Sequence, residues 1–159
     1  MRWVALVFAT LAQAQLPDLK VPREAPEQPV PFSHKLHAGQ GLKCAQCHPN
    51  PEPGDFMTLP KVGACMGCHT AVKKESPHIQ KLAKMEKAAW TPVYRIPDWV
   101  SFNHKKHLSA DGVSCEACHG KVAEMEAMRR VKDLSMAACM ECHRAMRASN
   151  ECLLCHDQR

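Results

Sequence analysis

The sequence predicts a mainly α protein made of short helices and extensive loops, with little or no sheet. Three observations carry that expectation. Only eight of the 159 residues are aromatic (three Trp, four Phe, one Tyr), too few for an ordinary side-chain core in a domain of this length. Strand patterns are hard to find anywhere along the chain. All ten cysteines fall into five copies of one pentapeptide, C-x-x-C-H, with none left over. Something other than side chains is therefore expected to fill the middle, with short segments wound around it.

The elements follow in chain order. Residues 1–14 read as an export signal: Arg2, an apolar run from Trp3 to Ala12, and Ala12-Gln13-Ala14 as a small-x-small cleavage site before Gln15. The competing reading is a frayed hydrophobic strand. The run is too short to span a bilayer, and Lys, Glu, Asp or Pro interrupts every later candidate, so no transmembrane segment is expected in the mature chain. Residues 15–31 hold Pro17, Pro22, Pro26, Pro29 and Pro31 among charged residues, which favours an extended lead.

Two related blocks come next. Phe32-Ser33-His34-Lys35-Leu36-His37 precedes the first C-x-x-C-H, and Phe102-Asn103-His104-Lys105-Lys106-His107 precedes the third. The phenylalanines lie 70 residues apart and the cysteines Cys44 and Cys115 lie 71 apart, the signature of an internal duplication. Within 79–101, Ile79–Ala89 has good helix formers and no breaker, and predicts a short helix. Trp90–Trp99, with Pro92 and Pro97, predicts an extended crossover. A further helix is expected from Lys121 to Lys132, where Glu124, Met125, Met128 and Val131 separate polar and apolar faces.

The five motifs are Cys44/Cys47/His48, Cys65/Cys68/His69, Cys115/Cys118/His119, Cys139/Cys142/His143 and Cys152/Cys155/His156. Two cysteines three residues apart on a helical turn can form thioethers to the two vinyl groups of one porphyrin, and the adjacent histidine can then ligate its iron. A disulfide framework, a zinc array or a thioredoxin-like pair explains five copies on an exported chain far less well. The expected cofactors are five covalently bound haems c, with the motif histidines as proximal ligands. On this reading 32–78 is a two-haem module and 102–159 a three-haem module.

Five histidines remain, equal in number to the distal sites: His34, His37, His78, His104 and His107. Histidines at i and i+3 share a helix face but cannot both reach one iron already bound on its other side. Each pair is therefore expected to serve two different haems, which brings those haems close.

FSHKLHAG (32–39), CMGCH (65–69), IPDWVSFNHKKH (96–107), GVSCEACHG (112–120) and LSMAACMECHR (134–144) resemble class III multihaem cytochromes, and more closely the pentahaem cytochrome subunit of alternative complex III. That resemblance implies an electron-transfer subunit of a quinol-oxidising membrane assembly that feeds a further cytochrome or an oxidase. It also implies that His34 and His37 serve the first and second haems, and His104 and His107 the third and fourth. The family carries a methionine at the position of Met136, so the fifth distal ligand is either Met136 or His78. Family members are generally membrane-anchored, whereas this chain offers only the short apolar segment at its start, which implies a soluble relative or a subunit held by protein contacts.

The formal charge of +5 would ordinarily point to nucleic acid or an anionic surface. Ten propionates outweigh it: the mature holoprotein comes to about −1 when ferric and about −6 when ferrous, so nucleic acid is discarded as a partner. Arg129-Arg130 and Lys105-Lys106 read as solvated or propionate-pairing side chains. Met125, Met128, Met140 and Met146 read as porphyrin packing, and Trp90 and Trp99 as haem cover or docking surface. The expected function is single-electron transfer without a catalytic residue, at the periplasmic or outer face of the cytoplasmic membrane. A soluble periplasmic shuttle, a multihaem reductase and an extracellular haem filament are the alternatives.

Overall fold

The computed structural model of the chain describes residues 23–156. The expected export signal (1–14) and the first part of the Pro-rich lead lie outside the described residues. Among the described residues there are helices and loops and no strand, as the fold class required. In order they are α1 (His34–Gly39), α2 (Cys44–Cys47), α3 (Val62–His69), α4 (Pro77–Ala83), α5 (His104–Leu108), α6 (Cys115–His119), a 3₁₀ turn (Val122–Glu124), α7 (Met136–Ala145) and α8 (Cys152–Cys155). None exceeds the ten residues of α7. Helices this short are unstable alone in water, so each depends on its caps and on what it is seated against.

The duplicated blocks use the same cap. Ser33 Oγ accepts from Leu36 N at 3.1 Å to open α1, and Asn103 Oδ1 accepts from Lys106 N at 2.8 Å to open α5. The variable position of Phe-x-His-x-x-His is thus the N-cap, and it holds two of the residue types best suited to that role. Ser135 caps α7 in the same way through Ala138 N.

The blocks interlock. Lys35 N donates to Met125 O at 3.0 Å, seating α1 on the segment after the third motif. Lys105 N donates to Gly54 O at 3.1 Å, seating α5 on the segment after the first. Gly54 has φ of +98°, and a Cβ there would lie 2.5 Å from the Lys105 Cβ, so only glycine permits this approach.

A small side-chain core forms at one corner from Val30, Leu82 and Ala88, with Val62, Cys65, Met85 and Trp90 packed against it. The lead contributes Val30 and runs along the crossover: Gln28 Nε2 donates to Thr91 O and Thr91 N donates to Gln28 Oε1, both at 2.9 Å. Residues 90–97 are non-helical, as the prolines predicted.

Two expected helices are corrected. The one anticipated over Ile79–Ala89 spans Pro77–Ala83 instead. Pro77 suits the first helical turn, where its missing N–H costs nothing. The early stop follows from packing: on a continuous helix Leu82 and Ala88 would project about 120° apart, whereas unwinding after Ala83 lets both enter one core. The helix anticipated over Lys121–Lys132 shrinks to the 3₁₀ turn Val122–Glu124. Its backbone is committed elsewhere: Met125 O accepts from Lys35, Arg130 O accepts from Arg23 N, and Val131 N and Lys132 N donate to the Tyr94 hydroxyl. Gly120, at φ of +70°, ends α6 against Val131, where a Cβ would meet that side chain at 2.5 Å.

Candidate haem-binding sites

Every C-x-x-C-H sits on a helix. α2, α6 and α8 consist of little else, while the second and fourth motifs occupy the C-terminal parts of α3 and α7. The i, i+3 spacing therefore turns both sulfurs of each motif to one helix face. No two of the ten cysteines are joined in a disulfide. Cys47, Cys65, Cys115, Cys118 and Cys155 are half-buried, whereas Cys44, Cys68, Cys139, Cys142 and Cys152 are exposed.

In the first, second and fifth motifs one cysteine is half-buried and the other exposed, and the second motif shows why. Cys65 faces the small core, packed against it on one side. Cys68 lies one turn further along α3, beyond that core, and is exposed. Its carbonyl accepts from Ala71 N at 3.0 Å and from Val72 N at 2.9 Å, and this turn brings Val72 O to His69 Nδ1. Cys68 thereby shapes the support of the neighbouring imidazole through its backbone while its sulfur stays accessible for attachment.

Burial pushes four of the thiols up, and in each case a thiol of another motif adds to the effect: Cys47 on Cys65, Cys44 on Cys115, Cys142 on Cys118 and Cys155 on Cys139.

The histidines gather into pairs. The rings of His34 and His48 are 6.4 Å apart and nearly parallel at 12°. Those of His37 and His69 are 6.2 Å apart, and those of His107 and His143 are 6.1 Å apart. His119 is held below the ordinary imidazole range by burial, and then by His104 and His48. His34 is lowered by burial, and then by His48 and His37. His78 and His156 belong to no such ring pair among the described residues. His78 is exposed on α4, and Met136, 66 % exposed, is the first residue of α7.

Two imidazoles bound to one metal from opposite sides, each nitrogen at about 2 Å, have ring centres about 6 Å apart. The three measured pairs match that separation. The tautomers match as well. Nδ1 of His37 donates to Ser33 O (2.8 Å), that of His48 to Thr58 O (2.9 Å), and that of His69 to Val72 O (2.9 Å). Nδ1 of His104 donates to Asp55 O (2.7 Å), that of His107 to Asn103 O (2.8 Å), and that of His143 to Ser149 O (2.6 Å). A carbonyl can only accept, so the proton sits on Nδ1 and Nε2 keeps its lone pair for a metal. His34 Nδ1 is buried without a partner. Among the described residues no three His, Cys, Asp or Glu side chains form a metal cage of their own; a porphyrin would supply the remaining ligands of a metal held by such a pair.

Several positioning residues escaped sequence reasoning. Phe32 stacks on His37 at 4.3 Å and meets His34 edge-on at 4.9 Å. Phe102 repeats this on His107 at 4.2 Å and His104 at 4.8 Å. The phenylalanine of the motif thus sets both rings of its block, and its identical place in the two copies was the available signal. Tyr94 meets the His119 ring edge-on at 4.8 Å while its hydroxyl accepts from Val131 and Lys132. No local pattern marks that role. Trp90 donates through Nε1 to Pro60 O at 2.8 Å, and Trp99 is 70 % exposed.

Helical attachment motifs for covalent porphyrins, with imidazoles paired across a metal's width, define a multihaem cytochrome c, an electron-transfer protein carrying covalently bound haem c. The chain belongs to the class III multihaem cytochromes c: residues 11–89 match the class III cytochrome C family, and residues 100–157 match cytochrome c7 and related cytochrome c. It is 31 % identical over 185 aligned positions to the multihaem cytochrome c subunit of menaquinone reductase from Nitratidesulfovibrio vulgaris strain Hildenborough, covering 96 % of this chain and 85 % of that protein.

Proposed function

We propose that this chain binds five haems c, one at each C-x-x-C-H, and carries single electrons as a non-catalytic subunit of a quinone-handling membrane assembly. The observation that supports this best is the set of imidazole pairs at about 6 Å, each drawing one ring from a C-x-x-C-H and one from a Phe-x-His-x-x-His. Each bound haem supplies an iron that takes up and releases one electron. The chain's own residues do the rest. The ten cysteines, Cys68 and the other exposed thiols included, fix the groups covalently. His48, His69, His119, His143 and His156 would each ligate one iron, and His34, His37, His104 and His107 would supply the second protein ligand of the first four. Nδ1 bonds to backbone carbonyls hold six of the rings still, so little moves when an electron arrives. Two strong axial ligands leave no position for a substrate, which argues against a reductase.

For the fifth iron we favour Met136 over His78. Met136 opens α7, whose Cys139 neighbours Cys155 of the fifth motif. His78 rides on α4, which packs on α3 and so belongs with the second motif. A thioether ligand would raise that haem's potential above those of its neighbours.

The similar Nitratidesulfovibrio protein is a subunit of an enzyme named for reducing menaquinone. The motif resemblance instead points to a quinol-oxidising complex that feeds a cytochrome or oxidase. The two differ in the direction of flow and agree that the partner handles quinone. No helix among the described residues is long and apolar enough to cross a membrane, so attachment through protein contacts at the periplasmic face is the arrangement proposed. Export by cleavage after Ala14, and the division into a two-haem unit (32–78) and a three-haem unit (102–159), belong to the same proposal.

The test is purification of the native holoprotein. Its mass should give five haems and an N-terminus at Gln15, and its ferric EPR spectrum should be wholly low-spin. Met136→Ala should convert one haem to high spin and His78→Ala none; the reverse pattern would reassign the ligand. Co-purification with large membrane subunits is expected, and recovery only as a free monomer would favour a diffusing shuttle. A high-spin haem in the resting wild type would revive the reductase.

A further inference from the structure

The two blocks exchange contacts reciprocally. Lys35 N donates to Met125 O, and Lys105 N donates to Gly54 O. Lys35 and Lys105 are 70 residues apart and Gly54 and Met125 are 71 apart, the same offsets as the paired phenylalanines and cysteines, so each bond is the other's symmetry mate. The ion pairs repeat the exchange, with Lys35 meeting Glu126 and Lys105 meeting Glu52.

This reciprocity orders the motifs in space. The segment after the first motif carries α5, and the segment after the third carries α1, so the first and third motifs both adjoin the junction of the two blocks. His104 on α5, proposed above as a ligand at the third motif's haem, donates to Asp55 O just beyond the first motif. The second and fourth motifs lie outward on either side. α1 reaches the second through His37 and His69, and α5 reaches the fourth through His107 and His143. The fifth follows the fourth, tied by Asn150 Nδ2 donating to Met140 O at 3.3 Å and by Ser101 N donating to Cys155 O at 2.7 Å.

We infer that the five haem sites run in the spatial order second, first, third, fourth, fifth. The ports for electron entry and exit are then the site of Cys65, Cys68 and His69 and the site of Cys152, Cys155 and His156. The first site in the chain is internal, and electrons cross between the blocks once, between the first and third sites. This inference rests on the five-haem carrier reading and deepens it. Chain order and path order differ because the duplicated blocks meet head to head rather than following one another.

Anomalous diffraction at the iron edge from crystals of the holoprotein tests the order without reference to any activity. The expected result gives the first-motif iron the second and third as its nearest neighbours, and the third-motif iron the first and fourth. A second-motif iron that neighbours the third more closely than the first does would overturn the inference. Mass spectrometry of the same preparation separates the two readings. Fewer than five haems, with the irons present still in this order, would sink the five-haem count and leave the order standing.

Discussion

Asn103 joins three functions in one side chain, and its removal gives a quantitative test of how the distal histidines are held. Its Oδ1 caps α5 through Lys106 N at 2.8 Å, while its Nδ2 donates to Asp55 Oδ1 at 2.6 Å and to Pro53 O at 3.1 Å. Loss of an N-cap costs about 1 kcal/mol. The bond to the carboxylate is half-buried and charge-assisted, worth about 1.5 kcal/mol, and the exposed bond to Pro53 adds about 0.5 kcal/mol. Asn103→Ala should therefore destabilise the holoprotein by about 3 kcal/mol, roughly two orders of magnitude in the folding equilibrium. Its counterpart provides an internal control. Ser33 caps α1 and donates to Glu126 at 2.7 Å in an exposed setting, so Ser33→Ala should cost only about 1–1.5 kcal/mol. Guanidinium unfolding followed by distal-ligand loss in the visible spectrum reads both midpoints. Asn103→Ser should retain the cap and recover about 1 kcal/mol of the loss. Equal costs for the two alanine variants, or no recovery with serine, would refute the claim that α5 is anchored to the 53–55 loop through this side chain.

Gly54→Ala forces a Cβ to within 2.5 Å of Lys105 at a positive φ, and should cost about 2–3 kcal/mol; Gly41→Ala, at φ of +80° in open space, should cost about 1 kcal/mol in the same thermal melts. Tyr94→Phe strips the acceptor from two backbone N–H groups and should cost about 1–2 kcal/mol, with hydrogen exchange accelerated at Val131 and Lys132 ahead of the rest of the chain. Glu126 is held below its ordinary carboxylate value of 4.5, first by the hydrogen bond from Ser33 and then by that from Lys35. A lowered folded value means this group's contribution is complete above 4.5 and is lost as pH falls through the depressed value. Glu126→Gln should therefore remove part of the melting-temperature drop between about pH 6 and pH 3, and an unchanged drop would contradict the assignment.

The parts of the site legible in the sequence are those fixed by local spacing. C-x-x-C-H and Phe-x-His-x-x-His each lie within one helical turn or two, so their residues had to share a face wherever the helices went. What joins one turn to another was not legible. Tyr94 supports residues 37 and 38 positions further on, and Asn103 reaches back 48 to Asp55. The unequal burial of Cys65 and Cys68 was equally hidden, because it depends on a core assembled from the lead and from α4. The amphipathic pattern over Lys121–Lys132 was real, yet its carbonyls and amides serve α1, the lead and Tyr94, and tertiary partners outweighed propensity. The Ser and Asn at the variable position of the duplicated motif were readable as caps, since both precede a helical histidine pair and both are strong N-cap residues.

The reciprocal seating of α1 and α5 bears on why the duplication persists as one interlocked unit. Each helix carries the histidine pair of its own block but takes its support from the other block, α1 from Met125 and Glu126, α5 from Glu52, Gly54 and Asp55. The half-buried bonds lie on one side of this exchange, at Asn103 and His104, while the equivalent His34 Nδ1 has no partner. A donated Nδ1 proton strengthens the imidazole as a ligand and fixes its plane. On the ligation proposed above, His104 would then be the stronger ligand of the two and His34 the weaker.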